Sequence, residues 1–550
     1  MNAAGSAARY WHTLRHLRPV QWYGRLWFKV WRPRLDPLKP APAGRAPAGD
    51  WKPPASRTAA MLSADRFRFL NQEHSLPATG GWNDPALKKL WLYNLHYFDD
   101  LNAADAASRA PWHMTLLQRW VAENKPADGN GWEPYPTSLR IVNWVKWSLA
   151  GNALPPDCVH SLALQARWLA ARMEWHLLGN HLFSNAKALV FAGLFFEGDE
   201  TERWLAKGLR VIARQLPEQV LADGGHFERS PMYHALFLED LLDLANAAAA
   251  WPRQIDQADS DCWRKAAGDM LAWLEGMAHP DGQIALFNDA AMAIAPAPAA
   301  LGDYATRLGI GLPQRTAPQG LALEHWTDSG YIRMASPKAV ALLDVAPVGP
   351  DYLPGHAHAD TLSFELSVAG RRLVVNGGTS RYGVGPERTR ERSTSAHSTV
   401  QVAGQDSSEV WGGFRVARRA RPFDLQTAQA ADHVRVDCAH DGYCRLAGRP
   451  VHRRTWSMDA HCLTITDTVT GDHPAVARFI LHPDARVERA GDAEWTATLL
   501  GGPAIGFKIE FGSGRLEPAC YAPEFGKVLA TKCLAVDLAG GRGVTHITWN

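Results

Sequence analysis

Apolar residues recur every three or four positions from roughly residue 60 to 300, then at alternate positions in short runs after about 325. In SLRIVNWVKWSLAG (138–151), Leu139, Val142, Trp144, Val145 and Trp147 follow helical spacing, and Gly151 supplies a stop. SLALQARWLAARMEWHLL and HALFLEDLLDLANAAAA have the same texture, with no fixed repeat motif, which predicts packed helical hairpins. Beyond 325, GYIRMAS, AVALLDV, LSFELSVAGRRLVVNGG, STVQVAG, HVRVDCAH, CLTITDTV and GFKIEFG are β-branched runs parted by Gly, Asp and Pro. Their number and spacing predict a large antiparallel β domain, most simply a sandwich. The expected order is an arm and linker over 1–58, a helical domain over 59–315 and a β domain over 316–550. A cleft is expected where the two domains meet, because domain junctions are common homes for ligand sites.

Composition narrows the class. At 550 residues the chain exceeds one ordinary core, and its 46% hydrophobic and 21% charged content is that of a globular protein. No apolar run is long enough to cross a bilayer, and the first residues lack the apolar core of a secretory signal. A cytoplasmic or peripheral membrane location is the resulting expectation. Seven cysteines without a CxxC pair suggest reduced thiols. No nucleotide loop or zinc-finger spacing occurs, and nucleic acid is not an expected partner.

Charge is uneven. Residues 1–57 hold eleven Lys or Arg against two Asp, whereas the whole chain is only +2. Trp11, Trp22, Trp27, Trp31 and Trp51 lie in the same stretch, cut into short pieces by Pro19, Pro33 and Pro37. Such an arm suits an anionic membrane surface, touched through residues 1–35, or packing on its own domain or a partner. Residues 40–58, rich in Pro, Ala and Gly, read as a linker.

Four stretches carry candidate chemistry. LPGHAHADTLSFEL (353–366) spaces His356, His358 and Asp360 two apart at the mouth of a strand, so that all three share one face. That face suits a metal, a base or a hydrogen-bonded cluster. LLGNHLFSNAKAL holds Asn180 and His181; LADGGHFERSPMYHALF holds Glu228, Arg229 and Tyr233; RYGVGPERTRERSTSAHSTV holds Arg381, Tyr382, Arg388 and His397.

These motifs, with YNLHYFD at Tyr93–Asp99 and EPYPTSLRIVNW at Glu133–Trp144, resemble the heparinase II/III family of polysaccharide lyases and its alginate lyase-like relatives. The resemblance covers roughly residues 60–530 and is closest to a branch found beside surface-polysaccharide biosynthesis. It implies an incomplete (α/α) toroid followed by an antiparallel β-sandwich. It also implies catalytic roles for Asn180, His181, Tyr233 and His356. The family's metal-associated positions fall on His358, Asn376 and His397, where Asn376 replaces a carboxylate; a neutral amide is a poorer zinc ligand. Either a zinc ion or a hydrogen-bonded cluster is left open there.

A lyase of this kind removes the C5 proton of a uronate and expels O4. Asn180 and His181 suit the carboxylate as donors. His356 or a tyrosine suits the base, and Tyr233 the acid. Arg229, Arg381, Tyr382 and Arg388 are candidates for binding an anionic polysaccharide, guanidinium being a bidentate partner for carboxylate or sulfate. Two other readings stay open. One is a non-catalytic polysaccharide-binding or assembly protein on the same fold. The other is a glycoside hydrolase, which needs two opposed carboxylates from among Asp223, Glu228 and Asp289.

Overall fold

The computed structural model describes residues 3–311 and 319–550. Helices come first among the described residues: α1 (Ala3–Leu14), α2 (Pro19–Val30), α3 (Lys89–Tyr97), α4 (Ala110–Glu123), α5 (Pro134–Leu149), α6 (Pro156–Ala171), α7 (Gly179–Phe195), α8 (Asp199–Gln219), α9 (Pro231–Ala250), α10 (Gln257–Met277) and α11 (Pro298–Arg307). A further helix, α12 (Pro386–Arg392), sits inside the β region. α7 is largely apolar and buried along nearly its whole length, with Lys187 paired to Asp240 and Asp243, as suits a helix inside a bundle. It packs against α5, α6, α8 and α9. At Gly208 of α8 a Cβ would lie 2.7 Å from the Ala186 carbonyl oxygen, so only glycine permits this approach of α7 and α8.

Two antiparallel sheets follow. The nine-stranded sheet runs Ser513–Glu524, Lys527–Asp537, Ala475–Leu481, Arg371–Val375, Phe364–Val368, Ala339–Asp344, Tyr331–Ala335 and Ala322–Trp326, with Val400–Val402 also on Ala475–Leu481. The eight-stranded sheet runs Pro422–Gln429, Val434–His440, His452–Met458, Cys462–Val469, Arg542–Thr548, Ala504–Phe511, Glu494–Leu499 and Ala485–Arg489. Phe364, Leu366 and Phe479 of the first meet Trp456, Ile465 and Ile547 of the second in one dry core. The architecture is an incomplete (α/α) toroid followed by an antiparallel β-sandwich. The expected boundary at 315/316 lies outside the described residues.

Residues 40–58 are not the slack linker their composition suggests. Arg45 N–H donates to the Phe195 carbonyl at 2.7 Å, and Gly49 N–H to that of Ala250 at 3.0 Å. These are the terminal carbonyls of α7 and α9, which helices leave without internal partners. The Pro-rich strand has its own donors to place, so it lies extended across the toroid and caps both helices. Arg57 then pairs with Glu239.

One buried network fixes the toroid's last loop on the sandwich. His279 meets Glu365 at 2.7 Å and Ser367 at 2.8 Å, while Arg372 joins Asp281 at 2.7 Å and donates to the Ile284 carbonyl at 2.8 Å. Glu365 also accepts the Leu286 and Asn376 amides. The segment carrying Asn288 and Asp289 is thereby held against Phe364–Val368 and Arg371–Val375, the two strands that follow the His356 loop.

Candidate active site

The site forms where the first turns of α7 and α9 meet two sandwich loops. α7 begins through Leu178 and Gly179, both at positive φ (61° and 51°). A Cβ on Gly179 would stand 2.6 Å from Leu353 Cδ2 and 2.9 Å from Glu228 Oε1, so a larger residue would push on both side chains as well as strain φ. Asn180 and His181 follow at once, partly open to solvent. His181 Nδ1 lies 3.2 Å from Glu174 Oε2, and its ring packs on Tyr135 with centroids 4.5 Å apart. Burial pulls the His181 pKa down, but Glu174 and Glu228 outweigh it and the net shift is upward.

At α9, Ser230 is the N-cap. Its Oγ accepts the Tyr233 N–H at 3.3 Å and donates to the Asp289 carbonyl at 2.6 Å. The cap therefore ties Tyr233, Asp289 and the helix start together. Tyr233 lies on His356 with ring centroids 3.9 Å apart, and its hydroxyl is 2.9 Å from that of Tyr382. Burial, then Tyr382 and Asp289, push the Tyr233 pKa well up, so the phenol is neutral.

Asp289 is the hub. His356 Nδ1 approaches one of its oxygens at 2.9 Å and His358 Nε2 the other at 2.7 Å, while Arg388 grips both. Burial would raise this carboxyl, yet Arg388 and the two imidazoles hold it well below the usual range. An ionised carboxylate only accepts, so His356 carries a proton on Nδ1 and points Nε2 at the cleft. Glu228 Oε2 stands 3.7 Å from that Nε2. The Glu228 carboxyl is buried; burial raises its pKa, and His356, His181 and the Asn180 N–H offset this only in part, so the net shift is upward.

His356, His358 and Asp360 lie in a loop, not on a strand; the next strand begins at Phe364. The two histidines do share a target, but Asp360 turns away and accepts the Asn288 N–H at 3.0 Å. The loop is pinned because Asn288 Oδ1 accepts the His358 N–H, Asp289 N–H donates to the His356 carbonyl, and Arg392 clasps the Ala357 carbonyl.

Several sequence-based assignments change. Arg388, expected on substrate, is buried and committed to Asp289. Arg229, also expected there, sends its guanidinium to the Ser329 and Asp328 carbonyls. Arg381 pairs with Glu387 at the rim, 3.3 Å away, and remains partly exposed. Tyr382 is inside the cluster. Glu228 and Asp289 do not oppose one another across an open gap; both address the single His356 ring. Asp223 is consumed by the Asp328 and Ser329 amides. The hydrolase geometry is therefore absent from these three carboxylates. Asp289 and Glu174 escaped sequence reasoning as partners of the site histidines, since a lone acid in a loop gives no periodic signal.

At the metal-associated positions, His358 Nδ1 and His397 Nε2 face each other at 3.0 Å. Asn376 Oδ1 accepts the Ser398 N–H at 3.1 Å, and its Nδ2 reaches the Ser363 hydroxyl at 3.4 Å. Two imidazoles with a neutral, already engaged amide are a poor match for zinc, which takes three or four anionic or imidazole donors. Among the described residues no group of three or more His, Cys, Asp or Glu assembles as a metal set.

The chain is thus an (α/α) toroid followed by a β-sandwich, with a Tyr–His pair at their junction. Residues 318–550 match the family model "Heparinase II/III-like, C-terminal" and residues 115–301 match "Heparinase II/III N-terminus"; the chain belongs to the heparinase II/III family. The crystal structure of heparinase III has the same fold, with a TM-score of 0.71 at 17% identity over 96% of this chain and 89% of that one. FtsZ-localized protein C of Caulobacter vibrioides is 28% identical over 452 residues, 75% of this chain and 72% of that protein. A heparin-sulfate lyase of Pedobacter heparinus is 26% identical over 252 residues, 42% of this chain and only 36% of the lyase.

Proposed function

We propose that this site cleaves an anionic, uronate-containing polysaccharide by β-elimination. The observation that carries the reading is the stacking of neutral Tyr233 on His356, whose Nδ1 is fixed by an ionised, buried Asp289. His356 Nε2 takes the C5 proton, the electron pair forms the C4–C5 double bond, and the C4–O4 bond breaks. Tyr233 gives its proton to O4. Transfer of the captured proton from imidazolium to phenolate, with Tyr382 hydrogen-bonded beside it, restores the starting state. The neutral resting phenol favours a histidine base and a tyrosine acid over a tyrosine doing both jobs.

The C5 proton is a poor acid, because its loss loads a second negative charge onto the carboxylate. Asn180 and His181, in the first turn of α7, face this demand with an amide donor, an imidazole biased toward the cation and the positive end of a helix. At the neighbouring cluster we assign a hydrogen-bonded pair, not a zinc site: Asp289 accepts from His358 Nε2, the Ser393 carbonyl accepts from His397 Nδ1 at 2.7 Å, and the two rings face each other at 3.0 Å. Protein purified without added metal is expected to contain no stoichiometric zinc; a stoichiometric signal would overturn that assignment.

A polysaccharide-binding or assembly role without turnover is the second reading. It is favoured by the long match to a relative whose name describes localisation and not a lyase reaction. Incubation with a panel of uronate polymers separates the two. Elimination yields an unsaturated uronate that absorbs in the ultraviolet; binding alone shifts the polymer's mobility and yields no chromophore with any of them.

A further inference from the structure

We infer that the outward face of α2 docks the protein on an anionic lipid surface. The helix touches its own protein with one side only. Gln21 Nε2 donates to the Tyr352 carbonyl at 3.0 Å, Gly24 lies where a Cβ would sit 3.0 Å from His176 Cβ, and Phe28 packs on the His176 ring at 4.5 Å. Arg172 closes over Phe28 from the other side. At 3.6 residues per turn the opposite side carries Trp22, Leu26 and Val30 in one row and Tyr23 and Trp27 in the next. Their exposures are 52%, 67%, 75%, 64% and 60%, and Trp11 of α1 adds another at 65%. Single exposed apolar residues are ordinary, but two contiguous rows on one helix are not.

Charge selects the occupant. Arg25 and Lys29 flank the rows, with Arg9, Arg15, Arg18, Arg32 and Arg34 around them, and no acidic residue occurs before Asp36. Among the described residues only Arg18 of these seven is paired with an acid, Glu218. Unneutralised cations beside tryptophan are the signature of a helix lying in the headgroup layer of an anionic bilayer. An anionic polysaccharide would meet the cations and the aromatic rings, but it has no use for Leu26 and Val30 standing out on a convex helix. A bilayer buries both. The pieces left by Pro19 and Pro33 do not weaken this face, because Pro19 occupies the first turn of α2, where its missing N–H costs nothing. Neither the fold nor the proposed elimination requires this surface.

The test is flotation of the full chain with phosphatidylcholine vesicles and with vesicles containing a third phosphatidylglycerol. At least tenfold more protein is expected on the anionic vesicles, with the difference lost in 0.5 M salt. Leu26→Glu/Val30→Glu is expected to reduce binding at least tenfold with an unchanged thermal midpoint, and Arg25→Glu/Lys29→Glu to remove the preference for anionic lipid. Absence of flotation, or equal flotation of the Leu26/Val30 variant, overturns the inference. So does a self-associated species in light scattering that the same variant dissolves without any vesicle binding, since the face then belongs to a second copy. Displacement from vesicles by a uronate polymer that loses affinity for the Leu26/Val30 variant would reassign the face to polymer and equally overturn it.

Discussion

Asp289 sits among Arg388, His356 and His358, and its charge sets what His356 can do. Because its carboxyl is depressed in the folded chain, its stabilisation is present above the unfolded carboxylate range and is lost as pH falls through the lower folded value. Asp289→Asn leaves Arg388 buried without its partner, and a loss of about 3–5 kcal/mol of stability is expected in urea melts. Glu228 has the opposite sign. Its raised carboxyl makes ionisation costly to the fold, so stability declines as pH rises through the folded value. Glu228→Gln is therefore expected to melt higher than the parent at pH 8, with the gap closing near pH 4; an equal gap at both would contradict a carboxyl raised by burial. Tyr233→Phe removes one oxygen and keeps the ring on His356. Turnover is expected to fall about 10²–10⁴-fold with KM little changed. Of these residues, Tyr233 and His356 were legible through motif resemblance. Arg388 was expected on an anionic polymer because a guanidinium suits carboxylate or sulfate, whereas it is the counter-ion of buried Asp289.

At the scale of elements, the site depends on how two helices start. α9 is set by the Ser230 cap, which also holds Asp289. Ser230→Ala is expected to cost about 0.5–2 kcal/mol and to slow turnover through misplacement of Tyr233. α7 is set by Gly179, where Ala would push on Leu353 and Glu228; a loss of both stability and activity is expected, visible in thermal melts and initial rates. Helices and strands themselves were legible because burial imposes their periods: α5 ends at Leu149, two residues before the predicted stop at Gly151. The segment 353–363 was not. Alternating His, His and Asp read as a strand, yet its backbone hydrogen bonds go to the 288–289 loop and to Arg392, partners that only the tertiary fold supplies. The 40–58 strap failed for a related reason, since composition reports the lack of a period and not the helix ends waiting for donors.

At the scale of the molecule, neither domain holds the chemistry alone. The toroid brings Asn180, His181, Tyr233 and Asp289; the sandwich brings His356, Tyr382 and Arg388. The switch of hydrophobic period near residue 325 revealed both domains, but their docking rests on His279, Glu365, Arg372 and Asp281, whose pairing no local pattern announces. The central claim is that chain scission here is an elimination that consumes no water. Scission of a responsive uronate polymer in heavy-oxygen water tests it most directly. Fragments with an unsaturated non-reducing end and no incorporated heavy oxygen at the cleaved bond are expected, their formation slowed by Tyr233→Phe. Saturated fragments carrying one heavy oxygen per cleavage would contradict the account.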